Sequence, residues 1–146
     1  MNDTLHITCP SCGSINRVQS ERISDGPKCG QCKQALFNGK PLELKGGALD
    51  TVLNHTGVPV LVDCWAPWCA PCRAFAPVFE QAARQLEPKL RLAKLNTEAE
   101  PDVAARWGIR SIPTLILFKG GQEAQRVSGA LPMPQLMQWL KQTGTI

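Results

Sequence analysis

The chain has 146 residues, 43% hydrophobic and 19% charged, with a formal net charge of +4. That length has room for one full domain and a small appendage, and the charge is spread evenly: residues 1–40 carry five Lys/Arg against three Asp/Glu, residues 41–146 eleven against nine. Neither part is basic enough to imply a nucleic-acid partner, and the most apolar run, VPVLVDCWAPW, is too short to span a membrane and contains Asp63.

The first residues, MNDTLHITCP, lack the basic end and apolar run of a secretory leader. The expectation is therefore a cytoplasmic protein, whose thiols are kept reduced and whose cysteine pairs are more often metal ligands or redox couples than staples. CPSC at 9–12 and CGQC at 29–32 are two C-x2-C pairs separated by sixteen residues. Two residues between ligands let one tight turn aim both sulfurs at an ion, and the spacer predicts a hairpin that brings the second turn opposite the first. This is the spacing of a four-cysteine zinc ribbon. One structural zinc held by Cys9, Cys12, Cys29 and Cys32 is expected, with no position open to substrate. Some forty residues with few large apolar side chains cannot fold on burial alone, and structural zinc supplies about 10–16 kcal/mol in comparable sites. A pair of disulfides is the alternative, suited to an oxidising compartment. Phe37 is the only aromatic of this module, so base stacking is not expected; His6 reads as a surface residue.

Asn38-Gly39 and Gly46-Gly47 punctuate a linker, dividing the chain into residues 1–38 and 39–146. Leu42-Glu43-Leu44 alternates like a short strand, and ALDTVLNHTG predicts a brief helix ended by Gly57, with His55 a surface residue or a cation at its end. VPVLVDCW (58–65) predicts a strand covered on both faces. CAPCRAFAPVFEQAARQLE (69–87) predicts a helix that Pro77 should kink. LRLAKLN (90–96) predicts a strand, and PDVAARWG (101–108) a short helix from Pro101 to Gly108. TLILFKGG and QEAQRVSG predict a hairpin about Gly120-Gly121, and PMPQLMQWLKQ (132–142) a closing helix. Trp107 and Trp139 sit on apolar helix faces and are expected in or near the core. The order β-α-β-α-β-α-β-β-α gives a mixed sheet flanked by helices, hence α/β.

Cys69 falls where a buried strand gives way to a helix. Unpaired N–H groups and the helix dipole stabilise an anion there, so this thiol should be acidified. Cys72 lies one turn deeper on the same face, within disulfide reach, and Pro71 fits the first turn because its missing N–H was unpaired there anyway. These positions imply that Cys69 attacks a substrate disulfide and Cys72 resolves the mixed disulfide. A metal site would need two further ligands, and only Cys64 and His55 remain in this part of the chain. A permanent disulfide fits poorly with a reducing compartment.

The segments VLVDCWAPWCAPCRAFAPVFEQAA, KLN, GIRSIPTLILFKGG and VSGA resemble the thioredoxin family over residues 41–146. With the cysteine-rich front, the chain is similar to the zinc-ribbon-bearing, second-thioredoxin type of bacteria. The resemblance implies a thioredoxin fold behind a zinc ribbon, and a protein-disulfide reductase with Cys69 as nucleophile and Cys72 as resolving thiol. It implies that Asp63 is the buried acid behind the pair, and the apolar strand around it agrees, since burial raises a carboxyl's pKa. Lys94 matches the lysine near that acid, and Ile112-Pro113 matches a cis-proline loop facing the cysteines. Trp68, Ala70, Pro71, Ile112, Pro113 and Gly129 would face substrate, with Trp65, Pro67, Gly108, Ile109 and Ala130 extending the apolar surface. The implied partners are disulfide-containing proteins and a flavin- and NADPH-dependent thioredoxin reductase. No nucleotide signature, and so no bound organic cofactor, is expected in this chain, and a monomer is expected.

Two positions depart from the family. Ala70 stands where glycine is usual between the cysteines, which leaves the potential open. Cys64 stands where an aromatic is usual; alternation puts it on the opposite strand face from Asp63, as a small core residue or an extra redox thiol. Two other readings compete: a disulfide oxidase or isomerase, and a zinc-dependent, redox-regulated binding or chaperone module whose metal leaves when its thiolates oxidise.

Overall fold

Alternating side chains in TLHIT and INRVQ make a two-stranded antiparallel ribbon, β1 (Thr4–Thr8) and β2 (Ile15–Gln19), in which Leu5 pairs with Val18 and Ile7 with Asn16. The computed structural model describes residues 3–146. The hairpin forms around the first cysteine turn, which is its connection, rather than within the spacer as the spacing predicts. The spacer instead carries β2 and a single 3-10 turn at Ser20–Arg22. Two hydrophobic neighbours of the cysteines, Ile7 and Leu36, are fully buried, so the ribbon has a small core around its sulfurs.

The remainder follows the predicted order. β3 (Leu42–Glu43), α1 (Ala48–Asn54), β4 (Val60–Trp65), α2 (Ala70–Leu86), β5 (Arg91–Asn96), α3 (Pro101–Arg106), β6 (Thr114–Lys119), β7 (Gln122–Ser128) and α4 (Met133–Gln142) build one five-stranded sheet in the order β3-β5-β4-β6-β7. β4 is parallel to β5 and antiparallel to β6. It is the central strand, and the sheet is covered on both faces, which explains its nearly unbroken apolar run. On one face Leu61 packs with Phe75 and Phe79 of α2 and Leu136 and Leu140 of α4. On the other, Val60, Val62 and Cys64 pack with Leu49 and Leu53 of α1 and with Trp107. Trp107 stacks obliquely on Phe118, and Trp139 packs against the first cluster, so both tryptophans lie at the core. α2 continues through Pro77.

The ribbon lies on the sheet end that begins β4 and β5. The His6 carbonyl accepts from the Gly57 N–H at 2.7 Å, and Thr8 Oγ1 donates to the His55 carbonyl at 3.1 Å. Arg91, the first residue of β5 and fully buried, donates to the carbonyls of Thr8 and Leu36. In the parallel register Val60 faces Arg91 and Trp65 faces Asn96. The Cys69–Cys72 pair comes after Trp65, at the other end of β4 from Val60 and its neighbour Arg91.

Candidate redox and metal sites

Cys69 is the N-cap of α2, with extended backbone (φ −87°, ψ 112°), and its Sγ accepts from the Cys72 N–H at 3.3 Å. Pro71 occupies the first turn, which holds no acidic side chain to oppose an anion. Cys69 and Cys72 are joined as a disulfide, Cα atoms 5.2 Å apart, and both are buried. Ala66, Trp65 and Ile112 pack around them, while Trp68 stands 68% exposed beside them and Ala70 and Pro71 are exposed. An apolar, reachable rim thus surrounds a sulfur pair that water hardly touches.

The loop opposite is fixed from two sides. The Ile112-Pro113 bond is cis, and Cys69 Sγ lies 3.8 Å from the Ile112 carbonyl oxygen. The Gly129 N–H donates to the Pro113 carbonyl at 2.8 Å, and Gly129 adopts φ 113°, a region open to glycine and strained for other residues. Thr114 Oγ1 donates to the Ser111 carbonyl at 2.6 Å and lies 3.1 Å from Ser128 Oγ, which binds Ser111 Oγ at 3.3 Å. Sequence reasoning missed this hydroxyl chain, since no spacing rule links residues from different strands.

Asp63 is fully buried in the middle of β4, on the face that Leu61 turns toward α2. Neither carboxyl oxygen has a hydrogen-bond partner among the described residues. Burial raises its pKa to about 7, and the Lys94 charge pulls the other way. Lys94 is Asp63's register partner on β5, but no direct ion pair joins them among the described residues. The Lys94 ammonium instead lies 4.5 Å from the Trp65 ring centre. Cys64 points to the other face, fully buried, with its thiol pushed up to about 12 by burial and then by the Asp63 charge. Its packing among Leu49, Val62 and Leu95 makes Cys64 a core residue.

The four front sulfurs all lie within 4.8 Å of one another. Cys9 and Cys32 are 3.6 Å apart, as are Cys12 and Cys29. Tetrahedral zinc with bonds of about 2.3 Å places its sulfurs about 3.8 Å apart, so the residues fit that ion. Two of the sulfurs receive donors that favour an anion: Ser11 and Cys12 N–H groups donate to Cys9 Sγ, and Gln31 N–H and Asn16 Nδ2 to Cys29 Sγ, whereas the Cys32 thiol, beside the other three sulfurs, is pushed up to about 11. Donation from the Cys32 backbone and from Asn16 lowers the Cys29 pKa to about 6. His6 and His55 are exposed and outside the cluster.

Residues 40–142 match the family described as Thioredoxin, and residues 8–34 match the family described as Thioredoxin 2, N-terminal, a zinc ribbon. The chain belongs to the thioredoxin family. It is 46% identical over 136 residues to Thioredoxin C-3 of Corynebacterium nephridii, covering 93% of both chains, a span long enough to take in most of the ribbon. It is 56% identical over 84 residues to Thioredoxin 1 of a Nostoc species, covering 58% of this chain and 78% of that one. A mutant thioredoxin from Halobacterium salinarum has a similar solved structure, with a TM-score of 0.64, 30% identity, and coverage of 72% of this chain and 91% of that one. The fold is thus a thioredoxin fold preceded by a zinc ribbon, and the protein is a thiol–disulfide oxidoreductase of the protein-disulfide reductase class. No helix among the described residues is long and apolar enough to cross a membrane.

Proposed function

We propose that disulfide reduction runs through Cys69 as the attacking thiolate and Cys72 as the resolving thiol. Cys69 Sγ attacks one sulfur of a substrate disulfide. The substrate S–S bond breaks, a mixed disulfide forms, and the other substrate sulfur leaves as a thiolate that takes a proton from water. Asp63, as carboxylate, then accepts the Cys72 proton, through water. The Cys72 thiolate attacks Cys69 Sγ and expels the second substrate sulfur, so two electrons pass to substrate and the Cys69–Cys72 bond remains. The observation that carries this reading is the Cys69 Sγ at the cap of α2, accepting an N–H and facing the Ile112 carbonyl; the buried, unpartnered Asp63 carboxyl on the strand that leads into the pair supports the acid's part.

Trp68, Ala70, Pro71, Ile112, Pro113 and Gly129 receive the substrate: an extended segment lies along the Ile112 backbone while Trp68 covers its apolar side chains. Lys94 keeps Asp63 able to ionise near neutrality, as its opposing effect on that carboxyl supports. The substrates are protein disulfides, and a flavin- and NADPH-dependent thioredoxin reductase returns the electrons in the cytoplasm. The ion held by Cys9, Cys12, Cys29 and Cys32 is one structural zinc, the ribbon and body divide at residues 38 and 39, and the protein works as a monomer without nucleic acid.

The test is the rate of iodoacetamide alkylation of the reduced, metal-loaded protein against pH, with the modified cysteine identified by mass. Half-maximal alkylation of Cys69 near pH 7 is expected, as for other thiols at such positions. A midpoint near 8.5, that of a free thiol, removes the assignment.

A further inference from the structure

The largest fully buried side chain in the molecule is a charged one, Arg91. Its Nη2 donates to the Leu36 carbonyl at 2.8 Å and the Thr8 carbonyl at 3.3 Å, and its guanidinium carbon lies 4.3 Å from the Phe37 ring centre. Nη1 lies 3.8 Å from the equally buried Glu87 carboxylate, which also accepts from the Gly39 and Leu92 N–H groups. Arg91 and Glu87 belong to the thioredoxin body; Thr8, Leu36 and Phe37 belong to the ribbon. Burying a guanidinium is costly unless its donors are met; the ribbon carbonyls meet Nη2, while Nε and Nη1 have no hydrogen-bond partner among the described residues and the charge is balanced by Glu87 and the Phe37 ring.

The two carbonyls come from the ends of the two cysteine turns. Thr8 directly precedes Cys9, whose N–H bonds the Ser14 carbonyl to close the first turn. Leu36 lies just past the second turn, closed by the Cys29 N–H on Gln34, and is tied back by its own N–H to Pro27. An ion bonded to all four sulfurs would hold these turns together, and with them the two carbonyls and the Phe37 ring that converge on one planar group. Arginine suits this convergence, since its donors are fixed in one plane. Beside it, β1 closes on Gly57, where a Cβ would stand 3.0 Å from the Leu5 side chain.

We propose that the face around Arg91 is a docking surface for the metal-organised ribbon, with Arg91 as its anchor, so that metal and body stabilise each other. The coupling is reciprocal: whatever metal adds to body stability, the folded body adds to metal affinity. Because this face is the sheet end away from the dithiol, the coupling acts on stability rather than by contact with Cys69.

Two probes separate the modules in the full chain. All four tryptophans, Trp65, Trp68, Trp107 and Trp139, lie in the body, so their fluorescence reports it; Co2+ loaded in place of zinc reports the ribbon by its thiolate absorbance. In guanidinium the wild type should lose both signals in one transition, and chelation should move the tryptophan midpoint down by at least about 0.5 M. Arg91→Met with Glu87→Gln removes both charges, while glutamine keeps an acceptor oxygen for one of the Gly39 and Leu92 N–H groups. In that variant the Co2+ signal should fall first, by about 0.5 M or more, chelation should no longer move the tryptophan midpoint, and zinc competition with a chelator should show at least about tenfold weaker binding. Should the double variant not fold, Gly57→Val wedges the same interface from outside the core and should give the same separation. Separate transitions in the wild type, an unmoved tryptophan midpoint on chelation, or joint loss in the folded variants would each overturn the proposal.

Discussion

Two stretches of this chain use the same four-residue device to different ends. In CPSC the Cys12 N–H donates back to Cys9 Sγ at 3.5 Å, and in CAPC the Cys72 N–H donates back to Cys69 Sγ at 3.3 Å. Both turns therefore favour an anionic first sulfur. They differ in where the chain goes next. After Cys12 it turns into a strand, and a second turn brings Cys29 and Cys32 within 3.6 Å of the first pair. After Cys72 it continues as a helix through Leu86, and among the described residues no third sulfur joins the pair in a cluster. Four converging sulfurs make a closed metal site; two sulfurs facing an exposed tryptophan and a backbone carbonyl make a couple that can open and close. The spacing supplies stabilised thiolates, and the surroundings decide their use.

The strongest way to break this comparison is to remove one sulfur from each side. Cys69→Ser should lower insulin-disulfide reduction by more than about 10³-fold, since among the described residues no other thiol caps a helix. Cys29→Ser should leave that turnover largely in place but release the metal, seen as loss of bound zinc and immediate hydrogen exchange in the amides of β1 and β2, because the ribbon has few apolar contacts of its own. Equal loss of turnover in the two variants would erase the distinction.

A pH series sharpens it. The Asp63 carboxyl has its folded value raised by burial from about 3.8 to about 7. Below the unfolded value of about 3.8 it is mostly protonated folded or unfolded and favours neither state by much. Between pH 4 and 7 the unfolded chain releases the proton that the folded chain keeps, so stability falls as pH rises through this window. Asp63→Asn should therefore gain little at pH 3.5 and on the order of 4 kcal/mol at pH 8, measured by guanidinium unfolding of the oxidised protein. The same variant should slow resolution by Cys72 by about 10²-fold, read as a longer-lived mixed disulfide. The smallest effect is expected at Cys64. The folded, reduced protein should leave it unalkylated at pH 8, and Cys64→Ala should cost about 1 kcal/mol without changing turnover, because it fills core space and faces away from Asp63.

Much of this was legible in the residues. The period of two in LEL, the covered run of β4, the amphipathic α2 and the glycine turn at Gly120-Gly121 each reflect local rules, and the elements appear within two residues of their predicted ends except α1, which stops at Asn54, three short of Gly57. The cysteine spacings pointed to their partners because a C-x2-C turn is itself local. The misplacement of the ribbon's hairpin has a local cause as well: with the first cysteine turn as a connection, β1 and β2 pair before the spacer is reached. Lys94 illustrates the limit from the other side. Its register beside Asp63 stems from strand order, but its ammonium settles over Trp65, a choice made by packing between neighbouring strands.

From the sequence alone came the two sulfur groups, the α/β order and an acid buried in the central strand, all of which depend on neighbours a few residues apart. Only the tertiary structure decided that the ribbon caps the sheet end away from the dithiol, that Arg91 and Glu87 are buried between ribbon and body, and that Ser111, Thr114 and Ser128 brace the loop facing Cys69. Each of those arrangements joins residues from separate elements, up to 83 positions apart for Thr8 and Arg91. Their energy comes from desolvation and converging hydrogen bonds, which no periodicity along a chain records.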